Sequence, residues 1–540
     1  MATKSVDKWQ YGDFQTPDVL ANTVVEVLKR NHKLSPSVVV EPSCGKGAFI
    51  RAAIDGFTGA KVLGFDINRD YIREANLSLE NCHDKNAVFL DDSDFFSVDW
   101  EEKISAQSGF ILVIGNPPWV TSSELGILNS ENLPDKSNFQ NRRGIEAITG
   151  SGNFDISEWM LLRHVDWLSK REGAIAVLCK YSVARKVMRQ IMSNPTPLYF
   201  GHIYPIDAKE HFNASVEACL FVLVTGSGNS DCDIYDGLDS TTPSRVIGAR
   251  DGIIVNDVLA YEQSKHLSGQ DPRYIWRSGI KHDCSKVMEL ERINAEFKNG
   301  LGEHIDLEED YIYPLFKSSD IGNGRTEYYR KVVLITQKYV GEDTSTIQVT
   351  APKTWKYLCD HKDFLEKRQS SIYKNKPLYS VFGIGAYTFK EWKIAISALY
   401  KKLKFNLIGP IGGKVVAFDD TVNFLSFDTE EEAKFVFSLL TSTSALKFLD
   451  SIIFWDEKRP ITIDVLRRLS LKAVAEESGL KDEYMYWADS NKFSSTGQLE
   501  LGIAESKSHY KVTARTLVTT EHGVMLQTKP AQKRKLPAKT

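Results

Sequence analysis

Val38-Val39-Val40-Glu41-Pro42-Ser43-Cys44-Gly45-Lys46-Gly47-Ala48-Phe49 reads as a short apolar strand, an acid, a glycine turn and the start of a helix. A β-branched run of this kind fits a strand buried on both faces. Gly45 and Gly47 let the backbone turn tightly and approach a ligand closely. The spacing is not the full G-x-G-x-x-G loop that cradles a pyrophosphate. A carboxylate at the strand end would repel a phosphate and suits a ligand with an ammonium group. Glu41 therefore favours an amino-acid-bearing cofactor over a dinucleotide.

Outward from this stretch, strand and helix signals alternate. Residues 19–30 are helical in pattern. Strand-like runs at 61–66, 87–90, 110–114, 174–179, 199–204 and 218–225 join 38–41 to make seven, with helical patterns at 47–54, 70–81, 157–168 and 184–192. This rhythm predicts a doubly wound α/β fold with a mixed seven-stranded sheet. Residues 225–233 (TGSGNSDCD) are rich in turn formers and mark a boundary. The expected organisation is a first domain over 1–228, a second α+β domain over 229–475, and a partly disordered extension over 476–540 that ends in a basic tail.

Composition narrows the class. No apolar run reaches membrane-spanning length, and the polar first residues lack a signal-peptide core. The 7 cysteines are scattered without a Cys-x-x-Cys pair, which argues against a disulfide framework and a structural zinc site and for a reducing cytoplasm. The net charge of −4 gives no overall attraction to nucleic acid. Residues 351–410, however, hold twelve Lys/Arg against four Asp/Glu, interleaved with Trp355, Tyr357, Tyr373, Tyr379, Phe382, Tyr387, Phe389 and Trp392. That is either a nucleic-acid surface or a solvated lysine-rich face over core aromatics.

The other strand ends carry chemistry too. Asp66 lies 25 positions after Glu41, where an acid accepts hydrogen bonds from ribose hydroxyls; it could equally cap a helix. Asp94 could accept from an adenine amino group, with Phe95 against the ring. Asn116-Pro117-Pro118-Trp119 follows the fourth strand. Neither proline has an N–H to extend a ladder, and Asn116 is pushed out of the helical region. The expected result is a stiff loop with outward carbonyls, an amide and an exposed indole, fit to hold a planar NH2 group against a flat ring.

The order of these motifs resembles the amino-group DNA methyltransferases that use S-adenosylmethionine. Gln15-Thr16-Pro17 ahead of the first strand, with a recognition domain C-terminal, resembles the gamma arrangement. His211-Phe212-Asn213-Ala214-Ser215-Val216 fits more loosely, as do residues 314–321 (PLFKSSDI) and 456–462 (DEKRPIT). The resemblance implies a Rossmann-like methyltransferase domain and a target-recognition domain. It implies N6 methylation of an adenine flipped out of duplex DNA, protecting against a separate cognate restriction endonuclease. Asn116 and Pro117 would accept the amino hydrogens, Trp119 and Phe212 would stack on the base, and no metal is implied. Thr16 and Pro17 would lie near the methionine carboxylate, with Glu41, Gly45 and Gly47 at the amino-acid end. Asp66 would hold the ribose, and Ile67, Asp94 and Phe95 the adenine. A monomer in the cytoplasm, associated with the nucleoid, is expected. Cytosine N4, an RNA base or a protein glutamine amide are alternative NH2 targets. A fused nuclease finds little support: Pro134-Asp135 and Glu432-Ala433-Lys434 lack the partners such a site needs.

Overall fold

The computed structural model describes residues 14–80, 87–120, 155–193, 199–226, 230–294 and 296–490. Those up to 487 fall within one compact unit, Met1–Trp487. Helix α1 (Asp18–His32) leads into β1 (Val38–Glu41), α2 (Ala48–Gly56), β2 (Lys61–Phe65), α3 (Arg69–Ser78), β3 (Val88–Asp91), α4 (Trp100–Ser105) and β4 (Ile111–Gly115). Then come α5 (Ile156–Trp167), β5 (Gly173–Lys180), α6 (Tyr181–Ser193), β6 (Tyr199–Ile206), α7 (Ala208–Phe212) and β7 (Ala218–Thr225).

The seven expected strands form the core of the sheet, in the order β6-β7-β5-β4-β1-β2-β3. Strands β1 to β5 are parallel, and β7 runs antiparallel to β5 and β6. The sheet does not stop at the predicted boundary. β8 (Cys232–Ile234), β9 (Arg245–Arg250) and β10 (Ile253–Val255) extend it beyond β6 to ten strands.

Alternation along each strand explains the helices on both faces. Val38 and Val40 join one core with residues of α4, α5 and α6, whereas Val39 joins another with α1, α2 and α3. Ile111 and Val113 divide from Leu112 and Ile114 in the same way. A strand buried on both sides has no polar face to show, so it reads as a continuous apolar run. The chain leaves β1 towards β2 on one side and returns to β4 on the other. This places the switch point, where open α/β sheets form their ligand crevice, at the carboxyl ends of β1 and β4.

The remainder is α+β. One sheet orders β11 (Arg277–Ser278), β20 (Val422–Phe427), β17 (Trp392–Ser397) and β18 (Asn406–Ile408). The other contains β12 (Glu289–Ile293), β13 (Glu296–Asn299), β14 (His304–Ile305), β15 (Ile312–Phe316), β16 (Lys331–Leu334) and β19 (Ala417–Phe418). Helix α8 (Ser318–Asn323) follows β15, and α9 (Glu430–Leu440) follows β20. In α9, Glu432 pairs with Arg273, a structural use of the acid weighed above for a nuclease; Pro134-Asp135 lies outside the described residues. Of the expected C-terminal extension, Lys481–Ser490 is helical, and the basic tail lies outside the described residues.

The two parts are pinned together through 456–462. Arg185 of α6, nearly buried, pairs with Asp456, and Arg189 donates to Glu457 at 2.7 Å. Phe454 lies in the core of the first sheet, under both guanidiniums. No single helix among the described residues is long and apolar enough to cross a membrane.

Candidate active site

The turn after β1 is built as its glycines require. Gly45 and Gly47 have φ of 49° and 78°, a region open to glycine at no steric cost. The Gly45 N–H donates to Asp66 Oδ2 at 2.8 Å, and the Lys46 N–H to Gln15 Oε1 at 3.1 Å. A Cβ on Gly45 would stand 2.7 Å from that same Gln15 oxygen. The loop is thus closed from one side by the acid ending β2 and from the other by the segment before α1. Asp66 also accepts from the Asn68 N–H at 2.8 Å, while the α3 cap itself is Asn68, whose side chain accepts from Asp70 and Tyr71. Ile67, beside Asp66, is 57% exposed.

Glu41 sits beneath this loop, 2% exposed. Its Oε2 has no hydrogen-bond partner among the described residues. Burial first, and the nearby Asp66 carboxylate second, push its pKa well above the ordinary carboxylate range; Arg51, held by Asp18, opposes this. Gly115, which ends β4, faces it: a Cβ there would lie 3.5 Å from Glu41 Cγ.

Asn116 follows. Its Nδ2 donates to the Phe14 carbonyl at 3.0 Å and to Thr16 Oγ1 at 3.3 Å. Those two bonds fix the amide's orientation and leave Oδ1 buried without a partner among the described residues. The segment 14–17, a hundred residues away in sequence, is thereby tied to both the β1 loop and the β4 loop. Pro17 forms the N-cap of α1, and Pro117 is buried.

Trp119 departs from expectation. The indole is 5% exposed, not open, because Phe14 and Phe212 cover it at centroid distances of 5.5 and 5.1 Å. Its Nε1 donates to the Leu178 carbonyl at the end of β5. Phe14 was not singled out from sequence; its place directly before Gln15-Thr16-Pro17 is the signal that could have found it. Phe95 also turns inward, 8% exposed among the rings of Phe96, Trp100, Trp159, His164 and Trp167. Asp94 stays nearer the surface, with Oδ1 accepting the Phe96 N–H at 3.0 Å. Of the eight aromatics of 351–410, Tyr357 and Tyr379 are buried and the other six half-buried.

The geometry is therefore two buried acceptors on adjacent strands, Glu41 Oε2 and Asn116 Oδ1, beside a glycine loop and a cluster of rings. No protein-family model matches the chain. The type II methyltransferase M.NspV of Nostoc sp. is 46% identical over 479 residues, covering 87% of this chain and 98% of the relative. The chain belongs to the type II methyltransferases of restriction-modification systems. A second type II methyltransferase, M.CvrRI of Paramecium bursaria Chlorella virus XZ-6E, is 32% identical over 110 residues, 20% of this chain and 25% of the relative. Among solved structures, the type IIL restriction-modification enzyme MmeI in complex with DNA aligns at a TM-score of 0.44 and 12% identity, over 86% of this chain and 73% of that one.

This type II methyltransferase is a DNA methyltransferase, and its methyl donor is S-adenosylmethionine. The residues present fit that donor. The unpartnered Glu41 oxygen is a buried acceptor for an ammonium group, the glycine turn leaves its backbone open to close approach, and exposed Ile67 offers an apolar surface beside Asp66.

Proposed function

We propose that the protein methylates the N6 amino group of an adenine flipped out of duplex DNA, at a specific sequence, and so protects that sequence from a separate endonuclease. The observation that carries this is the Asn116 amide: both donor contacts go to the protein, and the remaining buried acceptor is left for a substrate N–H.

An adenine amino nitrogen is a poor nucleophile because its lone pair is delocalised into the ring. Asn116 Oδ1 and the Pro117 carbonyl accept its two hydrogens and draw the nitrogen towards a tetrahedral shape, freeing the lone pair. This is catalysis by positioning and preorganised dipoles. S-adenosylmethionine, when bound, supplies a methyl group already activated by a positive sulfur. Glu41 holds the donor's ammonium, Thr16 and Pro17 lie by its carboxylate, and Gly45 and Gly47 keep the loop close. Asp66 binds the ribose; Ile67, Asp94 and Phe95 border the adenine, with Phe95 supporting from the core side. The target atom is unreachable inside a duplex, so the base must be extruded. Trp119 and Phe212 receive it, and Phe14 has to give way, since these three rings now cover one another. Residues 229–475 read the sequence.

The test is modification-sensitive long-read sequencing of DNA from cells expressing the protein. N6-methyladenine in one sequence context is expected. N4-methylcytosine in its place, or unmodified DNA with methylated RNA or protein glutamine, would overturn the reading.

A further inference from the structure

We propose that the turn between β17 and β18, residues 398–405, is a phosphate clamp for duplex DNA at the rim of the base pocket. The proposal deepens the reading of the Asn116 pocket as the base-receiving site and takes that reading as its starting point. With a net charge of −4, affinity for a polyanion has to come from a surface where cations gather apart from acids. Residues 351–410 have the cations, and the structure sorts them. Lys353, Lys356, Lys362 and Lys390 pair with Asp306, Asp360, Glu366 and Asp428, whereas Lys367, Lys374 and Lys376, spread over ten residues, have no carboxylate partner among the described residues. Lys393 is buried, with its Nζ on the Lys390 carbonyl.

The turn gathers such lysines most densely. Ala398-Leu399-Tyr400-Lys401-Lys402-Leu403-Lys404-Phe405 holds three lysines and no acid. Lys402 and Lys404 have no carboxylate partner among the described residues. Lys401 meets Glu217 at 3.8 Å, with the two side chains 54% and 69% exposed, a contact that water and salt readily screen. That contact locates the turn. Glu217 lies in the loop that follows α7, whose last residue, Phe212, packs on Trp119, so Lys401 reaches the segment that adjoins the pocket.

The turn is also held in shape. Ser397 Oγ accepts from the Leu399 and Tyr400 N–H groups, both at 3.2 Å, and bonds Ser318 Oγ at 2.6 Å. The Tyr400 ring lies against Gly322 of α8, where no Cβ would fit, and its hydroxyl accepts from Asn323 at 3.1 Å. Lys404 Nζ rests against Gly324 at the end of α8, where a cation is favoured by the helix dipole. A rigid loop carrying lysines that no acid neutralises, next to a pocket that must hold an extruded nucleotide, suits the flanking phosphates of the strand.

The experiment is DNA binding by the full chain with its cofactor, across about 50 to 200 mM salt. It uses a duplex bearing the modified sequence found by sequencing and a scrambled one. The combined substitution Lys401→Gln, Lys402→Gln, Lys404→Gln should lower the slope of log affinity against log salt by about 2.7, about 0.9 per lysine. The wild type then loses about 40-fold more affinity than the variant over that range, equally on both duplexes. Lys402→Gln alone should lower the slope by about 0.9 and decides the matter if the triple variant fails to bind cofactor. An unchanged slope overturns the clamp. So does a loss confined to the modified sequence, which would make the turn a base reader, or an RNA duplex that competes as well as DNA. Failure of the adenine reading shows separately, as the wrong modified base or none in the sequencing.

Discussion

Replacing Asn116 with alanine separates catalysis from cofactor binding. The side chain makes two donor bonds, to the Phe14 carbonyl and Thr16 Oγ1, and in the proposed function its remaining buried acceptor takes a substrate hydrogen. Losing that acceptor removes one of two groups that stabilise the amino nitrogen as positive charge develops on it. Removal of a single preorganised group of this kind costs about 2.7–4 kcal/mol, or about 10²–10³ in kcat. The other loss is structural: the half-buried Phe14 carbonyl is left without its donor, at the low end of about 1–3 kcal/mol. In a unit of this size such a loss moves the melting temperature by about 2 °C or less. Glu41, Gly45 and Asp66 keep their contacts, so the cofactor Kd should hold within about threefold, since 1.4 kcal/mol separates each tenfold. Single-turnover transfer of a labelled methyl group to duplex DNA measures the first effect, and calorimetry with the cofactor the second. A rate within tenfold of wild type would refute the role assigned to Asn116. A fall in cofactor affinity that tracks the fall in rate would place Asn116 in the cofactor site instead.

Glu41 gives a pH-dependent prediction. Its folded-state pKa is raised above the ordinary 4.5, so the folded protein holds the proton more tightly than the unfolded chain. The stability this contributes is complete below pH 4.5 and is lost as pH rises through the folded value, at up to about 1.4 kcal/mol per pH unit. Glu41→Gln should therefore melt higher than wild type near neutral pH without cofactor, lose that advantage in acid, and lose most of the cofactor-induced rise in melting temperature. Equal cofactor-induced shifts in the two proteins would dismiss the ammonium-binding role. Trp119→Ala should reduce the stacking of the extruded base, worth about 1–3 kcal/mol, and change the fluorescence of a duplex with 2-aminopurine at the target; identical fluorescence in both proteins would rule the indole out as a stacking surface.

What could be read from sequence followed local physics. β7 matched its predicted bounds and β1 was placed to the residue, because a strand buried on both faces leaves a short apolar run and little else. The glycine turn was legible for the same reason: Gly45 and Gly47 sit where the backbone needs left-handed angles. β8 to β10 were missed because Cys232–Ile234 is three residues long, follows a turn-rich stretch and pairs with β6, thirty residues earlier. The buried state of Trp119 depends on Phe14 and Phe212, each about a hundred residues away, and no local pattern encodes such a meeting. In 351–410, composition counted the lysines but could not distinguish those paired with acids from those on the β17–β18 turn.

The paired acceptors give the site its logic. Glu41 and Asn116 lie at the ends of strands that neighbour each other at the switch point, and each keeps one buried oxygen without a partner among the described residues. An unpaired buried acceptor is costly, about 1–3 kcal/mol or more when charged, and a protein selected for stability alone would fill such positions with groups that bond one another. Here the surroundings instead hold the two oxygens apart: Gly115 packs on Glu41 and the Phe14–Thr16 segment ties down the Asn116 amide. The two ligands carry the complementary groups, an ammonium on the methyl donor and an amino group on the base. In the proposed function each would recover one of these costs on binding, and the segment 14–17, bonded to both loops, would couple the two events. A site so arranged would hold donor and base in adjacent, fixed positions, which is what the proposed in-line transfer between them requires.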